Sequence, residues 1–273
     1  MTAPVRPIDG SGTERARCLL APNPSLMTLD GTNTWVIAEL GASSAVVVDP
    51  GPEDRGHLER IRDHVSGAGQ RVAAILLTHS HRDHSAGAAT LAAMTGAPVL
   101  AADPAHRLGD EGLVPGGVVT ASGCEIRVVA TPGHSADSVC LHLPADQALF
   151  TGDTVLGRGT TVIAKDGNLA DYLGSLDRLR ALADEAALAV LLPGHGPLLA
   201  DPAGVLDYYQ AHRKERLAKV TAALAAGDRT ADEIVTRVYA DVPTGLHAFA
   251  RMSVRAQLEY LRDRGELPPG VTH

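Results

Sequence analysis

The stretch Arg71–Gly96, RVAAILLTHSHRDHSAGAATLAAMTG, decides how the rest of the chain is read. Val72 to Leu77 is a continuous apolar run of strand length, which suits a strand buried on both faces. Ser85 to Met94 is Ala-rich and reads as a helix, with Ser85 as its N-cap. Between them His79, His81, Asp83 and His84 place four metal-competent side chains within six residues. A packed loop avoids so many titratable groups, because each would have to be desolvated. The i, i+2 spacing of His79 and His81 turns both imidazoles to one side of an extended backbone, whereas paired zinc histidines on a helix sit at i, i+4. The expectation is a metal site at the end of a buried strand.

Three later segments each set a metal-competent residue beside a glycine. Thr131–Ser135 (TPGHS) carries His134, Phe150–Thr154 (FTGDT) carries Asp153, and Pro193–Gly196 (PGHG) carries His195. With THSHRDH, these segments resemble the H-x-H-x-D-H signature and the later ligands of the metallo-β-lactamase superfamily, over about residues 15 to 200. The resemblance implies an α/β fold, an αββα sandwich of two mixed sheets with flanking helices. It implies two zinc ions per chain, one held by His79, His81 and His134, the other by Asp83, His84 and His195, with Asp153 bridging. The nucleophile so implied is a hydroxide shared by the two ions, since cations roughly 3.5–4 Å apart lower the pKa of bound water toward about 7. Asp83 and Asp153 are then the catalytic carboxylates, and no serine or cysteine nucleophile is needed. His81 stands where the diiron flavoprotein branch has a glutamate, which favours zinc over iron, with manganese a further option.

The superfamily's core hydrolyses lactams, thioesters and phosphodiesters, so the resemblance leaves the bond open. Only 42 positions separate Asp153 from His195, too few for the inserted domain of the large nucleic-acid-processing branch. Asp153 also stands where exported lactamases often carry a cysteine, and the single-iron persulfide branch lacks a full second site. Two substrate classes stay open, a phosphodiester in single-stranded RNA and a small thioester of the glyoxalase-II kind. A nucleic-acid-binding module with a structural metal would instead require a closed, cysteine-rich set of four ligands.

At 273 residues the chain suits one large domain or a large and a small one. Cys18, Cys124 and Cys140 are an odd, sparse set, expected as buried thiols in a reducing compartment. The opening MTAPVRPIDGSG has no apolar segment of signal-peptide length, and nothing approaches about 18 unbroken apolar residues. A cytoplasmic protein without membrane contact is expected. Residues 1–204 carry 14 Lys and Arg against 23 Asp and Glu, and residues 205–273 carry 10 against 9. An acidic catalytic part lacks the basic footprint of a tight duplex-binding protein.

Along the chain, Arg17 to Pro24 reads as an extended opening, and Asn33 and Thr34 as turn residues at the mouth of the strand in GTNTWVIA. The strand Ala45–Val48 ends at Asp49, either a carboxylate partner for a metal histidine or a turn initiator before Pro50. His57 to Val65 is an amphipathic helix burying Leu58, Ile61 and Val65, with His57 and His64 expected in solvent. Pro98–Ala101, Glu125–Ala130, Val139–Leu143, Ala148–Phe150 and Leu188–Leu192 read as strands, and Leu169–Ala187 as a helix. His106 is expected at the surface and His142 within a strand, neither as a ligand.

From Val205 the pattern becomes helical throughout, over Val205–Ala226, Thr230–Tyr239 and Arg251–Arg264. Thr230 reads as an N-cap with Glu233 completing a capping box. Three helices ending in a short wing-like turn resemble the winged-helix module of the β-lactamase-like protein 2 branch, which includes an endoribonuclease. DYLGSL at Asp171–Leu176 and MSVRAQLEYL at Met252–Leu261 resemble the same branch. The expected division is a catalytic domain over 1–204 and a winged-helix-like domain over 205–273, the latter either binding nucleic acid or shaping the substrate entrance.

Overall fold

In the computed structural model, which describes residues 7–163, 165–240 and 242–272, two mixed sheets lie face to face. The first takes β1 (Ala16–Leu20), β2 (Asn33–Ile37), β3 (Ser44–Val48), β4 (Arg71–Leu76) and β5 (Val99–Leu100) in chain order, antiparallel through β3 and parallel thereafter. Helices α1 (Arg55–Gly67), α2 (Arg82–Ser85) and α3 (Ala88–Thr95) punctuate it. The second contains β6 (Val118–Ala121), β7 (Cys124–Ala130), β8 (Val139–Leu143), β9 (Ala148–Gly152), β10 (Val190–Pro193) and β11 (Leu199–Ala200), with β9 and β10 its one parallel pair. Helix α4 (Leu169–Glu185) connects β9 to β10.

Strand alternation sets the layers. Val46 and Val48 of β3 face the second sheet, in a core with Trp35, Leu141, Phe150 and Leu192, while Ala45 and Val47 face α1 and α3 through Leu58, Ile61 and Leu91. On the second sheet Leu141 points inward, and Cys140 and Leu149 pack outward on α4 and on α5 (Pro202–Ala225). Burial of both faces is why these strands read as unbroken apolar runs, and each fully buried Leu or Phe contributes roughly 1.5–3 kcal/mol. Trp35 meets Phe150 edge to face, with centroids 5.7 Å apart, at the centre of the αββα sandwich expected from the sequence. The three cysteines are free and buried, as expected.

Several expectations are corrected. Ser85 ends α2 instead of capping a helix, and α3 starts after Gly87. A Cβ on Gly87 would lie 2.8 Å from Pro52 O and 2.7 Å from Leu58 Cδ2, so this glycine lets the chain turn tightly against the Gly51 loop. Asn33 and Thr34 belong to β2 and are fully buried. His57 is buried, with Nε2 2.9 Å from the Thr34 hydroxyl, because the apolar face of α1 is wider than its aliphatic residues suggest; His64 is exposed. The short strands β6 and β11 were too brief and too mixed in character to read.

The boundary expected at 204/205 lies in the first turn of α5. The first half of that helix packs Leu206 and Tyr209 on the second sheet's layer, and its second half packs Val220, Ala223 and Leu224 with α6 (Ala231–Val238) and α7 (His247–Asp263). Thr230 caps α6 and Glu233 completes the capping box. Thr272 pairs back with Thr230, closing the tail on itself.

Candidate metal centre

The seven residues singled out by the sequence converge at one edge of the sandwich, where strand ends meet. His79 and His81 follow β4, Asp83 and His84 lie on α2, His134 follows β7, Asp153 follows β9 and His195 follows β10. They form two sets with compact donor atoms, His79, His81 and His134 on one side and Asp83, His84 and His195 on the other. Asp153 groups with His79 and His84 between them. His106 and His142 stay outside the centre.

Nε2 of His79 and Nε2 of His134 lie 3.1 and 3.0 Å from Nδ1 of His81, and Nε2 of His84 lies 3.2 Å from Nε2 of His195. Two imidazole ligands of a tetrahedral zinc ion are ~3.3 Å apart at the usual Zn–N length. The other ring nitrogen of four of these histidines meets an oxygen. His79 Nδ1 is 3.0 Å from Thr78 Oγ1, His84 Nδ1 3.0 Å from Asp49 Oδ2, His134 Nδ1 2.7 Å from Val162 O, and His195 Nδ1 3.0 Å from Gly31 O. A carbonyl or carboxylate takes the N–H, and the Thr78 hydroxyl is already donating to Asp49, so in the neutral rings the lone pairs turn inward toward each other. A cation relieves that repulsion. Asp153 Oδ1 is buried and accepts no hydrogen bond among the described residues, although His84 Nε2 is 3.4 Å away. Donor type, spacing and this orphaned oxygen all fit a pair of divalent cations.

Charge divides the centre. Burial pushes the His79 and His134 rings below the usual imidazole range, which keeps them neutral. Burial also opposes the charge on His84 and His195, but Asp153 and Asp49 outweigh it at His84, and Asp153 and Asp83 hold His195 up to about 9. Burial raises the Asp83 carboxyl, and the His195 hydrogen bond with the His84 charge outweighs it, leaving it at about 2.

Asp49 is both things its sequence allowed. It sits at φ +49° before Pro50, and its carboxylate accepts from Thr78 N at 2.8 Å and Thr78 Oγ1 at 2.7 Å as well as orienting His84. Other supports were not read from sequence. Asn33 Nδ2 donates to Pro193 O and Gly196 O at 2.9 and 2.8 Å, fixing the turn that bears His195. Gly194 lets that turn close, since a Cβ there would fall 2.8 Å from Asp153 Oδ1. Tyr172 donates to Thr154 O at 2.7 Å, and Leu156 N donates to the Tyr209 hydroxyl, which donates on to Gly159 O at 3.0 Å. Arg213, lying over the Tyr172 ring, donates to Thr161 O, and the Thr161 hydroxyl is 3.0 Å from His134 Nδ1. Helices α4 and α5 thus hold the 154–163 loop between two ligands.

A match to the Metallo-beta-lactamase superfamily covers residues 27–195, and one to the Beta-lactamase associated winged helix domain covers residues 230–266. The chain belongs to the metallo-β-lactamase superfamily. Among relatives, the Lactamase-like protein adaB of Aspergillus niger is 32% identical over 85% of this chain and 75% of its own. The Beta-lactamase-like protein 2 homolog of Drosophila melanogaster is 29% identical over 91% of this chain and 88% of its own. The crystal structure of a Beta-lactamase domain protein from Burkholderia ambifaria superposes with a TM-score of 0.82 at 26% identity, covering 98% of this chain and 95% of that one. The protein is thus a superfamily hydrolase with a His/Asp cluster able to hold metal, followed by a winged-helix region. No helix among the described residues is long and apolar enough to cross a membrane.

Proposed function

We propose that the protein is a two-zinc hydrolase of small esters or thioesters with an apolar acyl body. The observation that carries this reading is a cavity of about 390 Å³ whose lining includes His134 and Asp153. Its walls include Leu26, Met27 and Leu156 from the catalytic part and Leu246 and Phe249 from the tail. Leu26 and Met27 are 67% and 42% exposed, adjacent apolar side chains that line this cavity. The tail therefore forms one wall of the route to the centre.

His79, His81 and His134 would hold one cation, Asp83, His84 and His195 the other, and Asp153 would lie between them. When bound, the two ions supply an activated water and the positive charge that stabilises oxygen developing on the substrate. Asp83 stays ionised at neutral pH, with Oδ2 3.2 Å from His195 Nε2, and orients the attacking water. Asp153 would offset part of the charge of a bound cation pair. The apolar wall seats the acyl body and excludes bulk water from it.

A second reading, a phosphodiesterase or endoribonuclease on single-stranded RNA, is favoured by Arg213 and Arg216 in the same cavity. The excess of 23 acidic over 14 basic residues in the first 204 weighs against a long polyanion. Zinc-loaded protein assayed on a glutathione thioester, a short single-stranded RNA, a generic phosphodiester and a cephalosporin separates them. The thioester is expected to give the largest kcat/KM, and a larger value on RNA would replace the first reading with the second.

A further inference from the structure

The cavity that holds His134 and Asp153 also carries two cations from the tail. Arg213 and Arg216, both on α5, line it beside His212. Neither guanidinium has a carboxylate partner among the described residues. Other tail cations on the surface, Arg237, Arg251 and Lys219, pair with Asp228, Asp232 and Glu215, while Arg213 and Arg216 are the two that line the cavity. Arg213 is 7% exposed, and a desolvated cation without a counter-charge costs free energy unless an anion or strong acceptors compensate it. It has one carbonyl, Thr161 O, and the face of Tyr172.

Arg216 is the more available of the two. Its guanidinium lies 4.7 Å from the centroid of Tyr239, Nη1 donates to Val238 O at 3.0 Å, and Nε lies 3.5 Å from His212 Nε2. Nη2 donates to no group among the described residues, and the side chain is half-buried on the cavity wall. A ring face and a carbonyl hold the fork in place before any ligand arrives, so little side-chain entropy remains to be lost. The cavity thus combines metal ligands, apolar side chains and the two guanidinium groups of α5 in one lining.

We infer that Arg216, with Arg213 one helical turn away on α5, is an anion-recognition subsite, and that the preferred substrate carries a carboxylate or phosphate in addition to its scissile bond. This rests on the ester reading above for the substrate, while the subsite itself is a statement about anion binding. An oxyanion there gains a charge-assisted hydrogen bond in a mostly apolar cavity, where such bonds are strongest.

The test compares two esters that differ at one end, 4-nitrophenyl hemiglutarate and 4-nitrophenyl valerate, with zinc-loaded wild type, Arg216→Gln and Arg216→Lys. Wild type is expected to prefer the hemiglutarate in kcat/KM. In Arg216→Gln, which keeps a donor for Val238 O, that preference should fall roughly tenfold, mainly through KM, as expected for loss of one charge-assisted bond. Arg216→Lys should restore part of it. Equal loss on both esters, or no wild-type preference, would overturn the subsite. If neither ester is turned over, the ester reading falls and calorimetric titration of glutarate and of inorganic phosphate into zinc-loaded protein decides the subsite. Affinity weakened roughly tenfold or more by Arg216→Gln supports it, and the better-bound anion names the source. Equal affinity in both proteins would put the anion at the metal centre and sink the proposal.

Discussion

One half of the metal centre offers three imidazoles and the other two imidazoles and a carboxylate, and the two lean on different neighbours. Around His79 and His134 the supporting oxygens are neutral, from Thr78, Thr161 and Val162, and among the described residues only His81 of this half has a carboxylate close behind it, the solvent-exposed Asp166 3.7 Å from Nε2. Around His84 and His195 the carboxylates of Asp49, Asp83 and Asp153 crowd in, all within 3.7 Å of a ring nitrogen. A neutral support orients a ring and does little else, whereas a carboxylate support also compensates the charge of a bound cation. The second half should therefore depend on its carboxylates more than the first depends on its hydroxyl and carbonyl groups.

The largest effect is expected from Asp153→Asn, which removes the carboxylate placed between the halves while keeping shape. Activity should fall more than about 100-fold, beyond the 10–100-fold that partners behind the ligands typically cost. Elemental analysis should drop from near two zinc per chain toward one, with the fold retained by circular dichroism. Turnover near wild type would remove Asp153 from the centre.

Asp49→Asn probes the carboxylate side from behind. An amide cannot accept from Thr78 N, Thr78 Oγ1 and His84 Nδ1 together, and turning its NH₂ toward His84 sets donor against donor. Affinity for the second zinc should weaken about 10–100-fold in chelator competition while the first is held. Equal weakening of both ions would erase the distinction between the halves.

The neutral side has a counterpart in Tyr209→Phe. That change strips the 154–163 loop of the hydroxyl bonded to Leu156 N and Gly159 O, two links removed from the Val162 and Thr161 groups that hold His134. A loss of roughly 1–2 kcal/mol in urea unfolding and a several-fold weaker first zinc are expected. For the same reason a chain cut at Gly204 should lose metal affinity, because Tyr209 and Arg213 would go with the tail. A truncated protein with two tightly held zinc ions would show that α5 props nothing.

What was legible in the sequence follows from how local each constraint is. Metal chemistry demands particular side chains at strand ends, so His79, His81, Asp83, His84, His134, Asp153 and His195 announce themselves by type and spacing. The groups that orient them include backbone carbonyls of Gly31 and Val162, which carry no residue signature at all. The doubly buried strands were readable as apolar runs, while β6 and β11, short and half exposed, were not. The cavity wall was illegible for a different reason: Met27, Phe249 and Arg216 are far apart in the chain and meet only through packing of the tail.

His57 gives the smallest effect at neutral pH and the sharpest check on how far the carboxylate side extends. The Thr34 hydroxyl donates to Asp49 O at 2.7 Å, so His57 must donate its Nε2–H to that hydroxyl, leaving Nδ1 as the site of protonation 3.5 Å from Arg60 Nη2. Burial first, and the Arg60 charge second, lower this ring to about 4 against 6.5 in the unfolded chain. Above pH 6.5 both states are neutral at this position and it contributes no pH dependence. As pH falls from 6.5 toward 4 the unfolded chain takes up a proton that the native ring refuses, so stability is lost across that window and levels off below it. The full difference corresponds to about 3 kcal/mol. Unfolding free energies at pH 7.5 and 4.5 should therefore fall less in His57→Gln than in wild type by about 2–3 kcal/mol, the other titrating groups being common to both. Parallel pH profiles would mean that the ring titrates freely, as a solvated histidine does, and that the network behind Asp49 ends at Thr34.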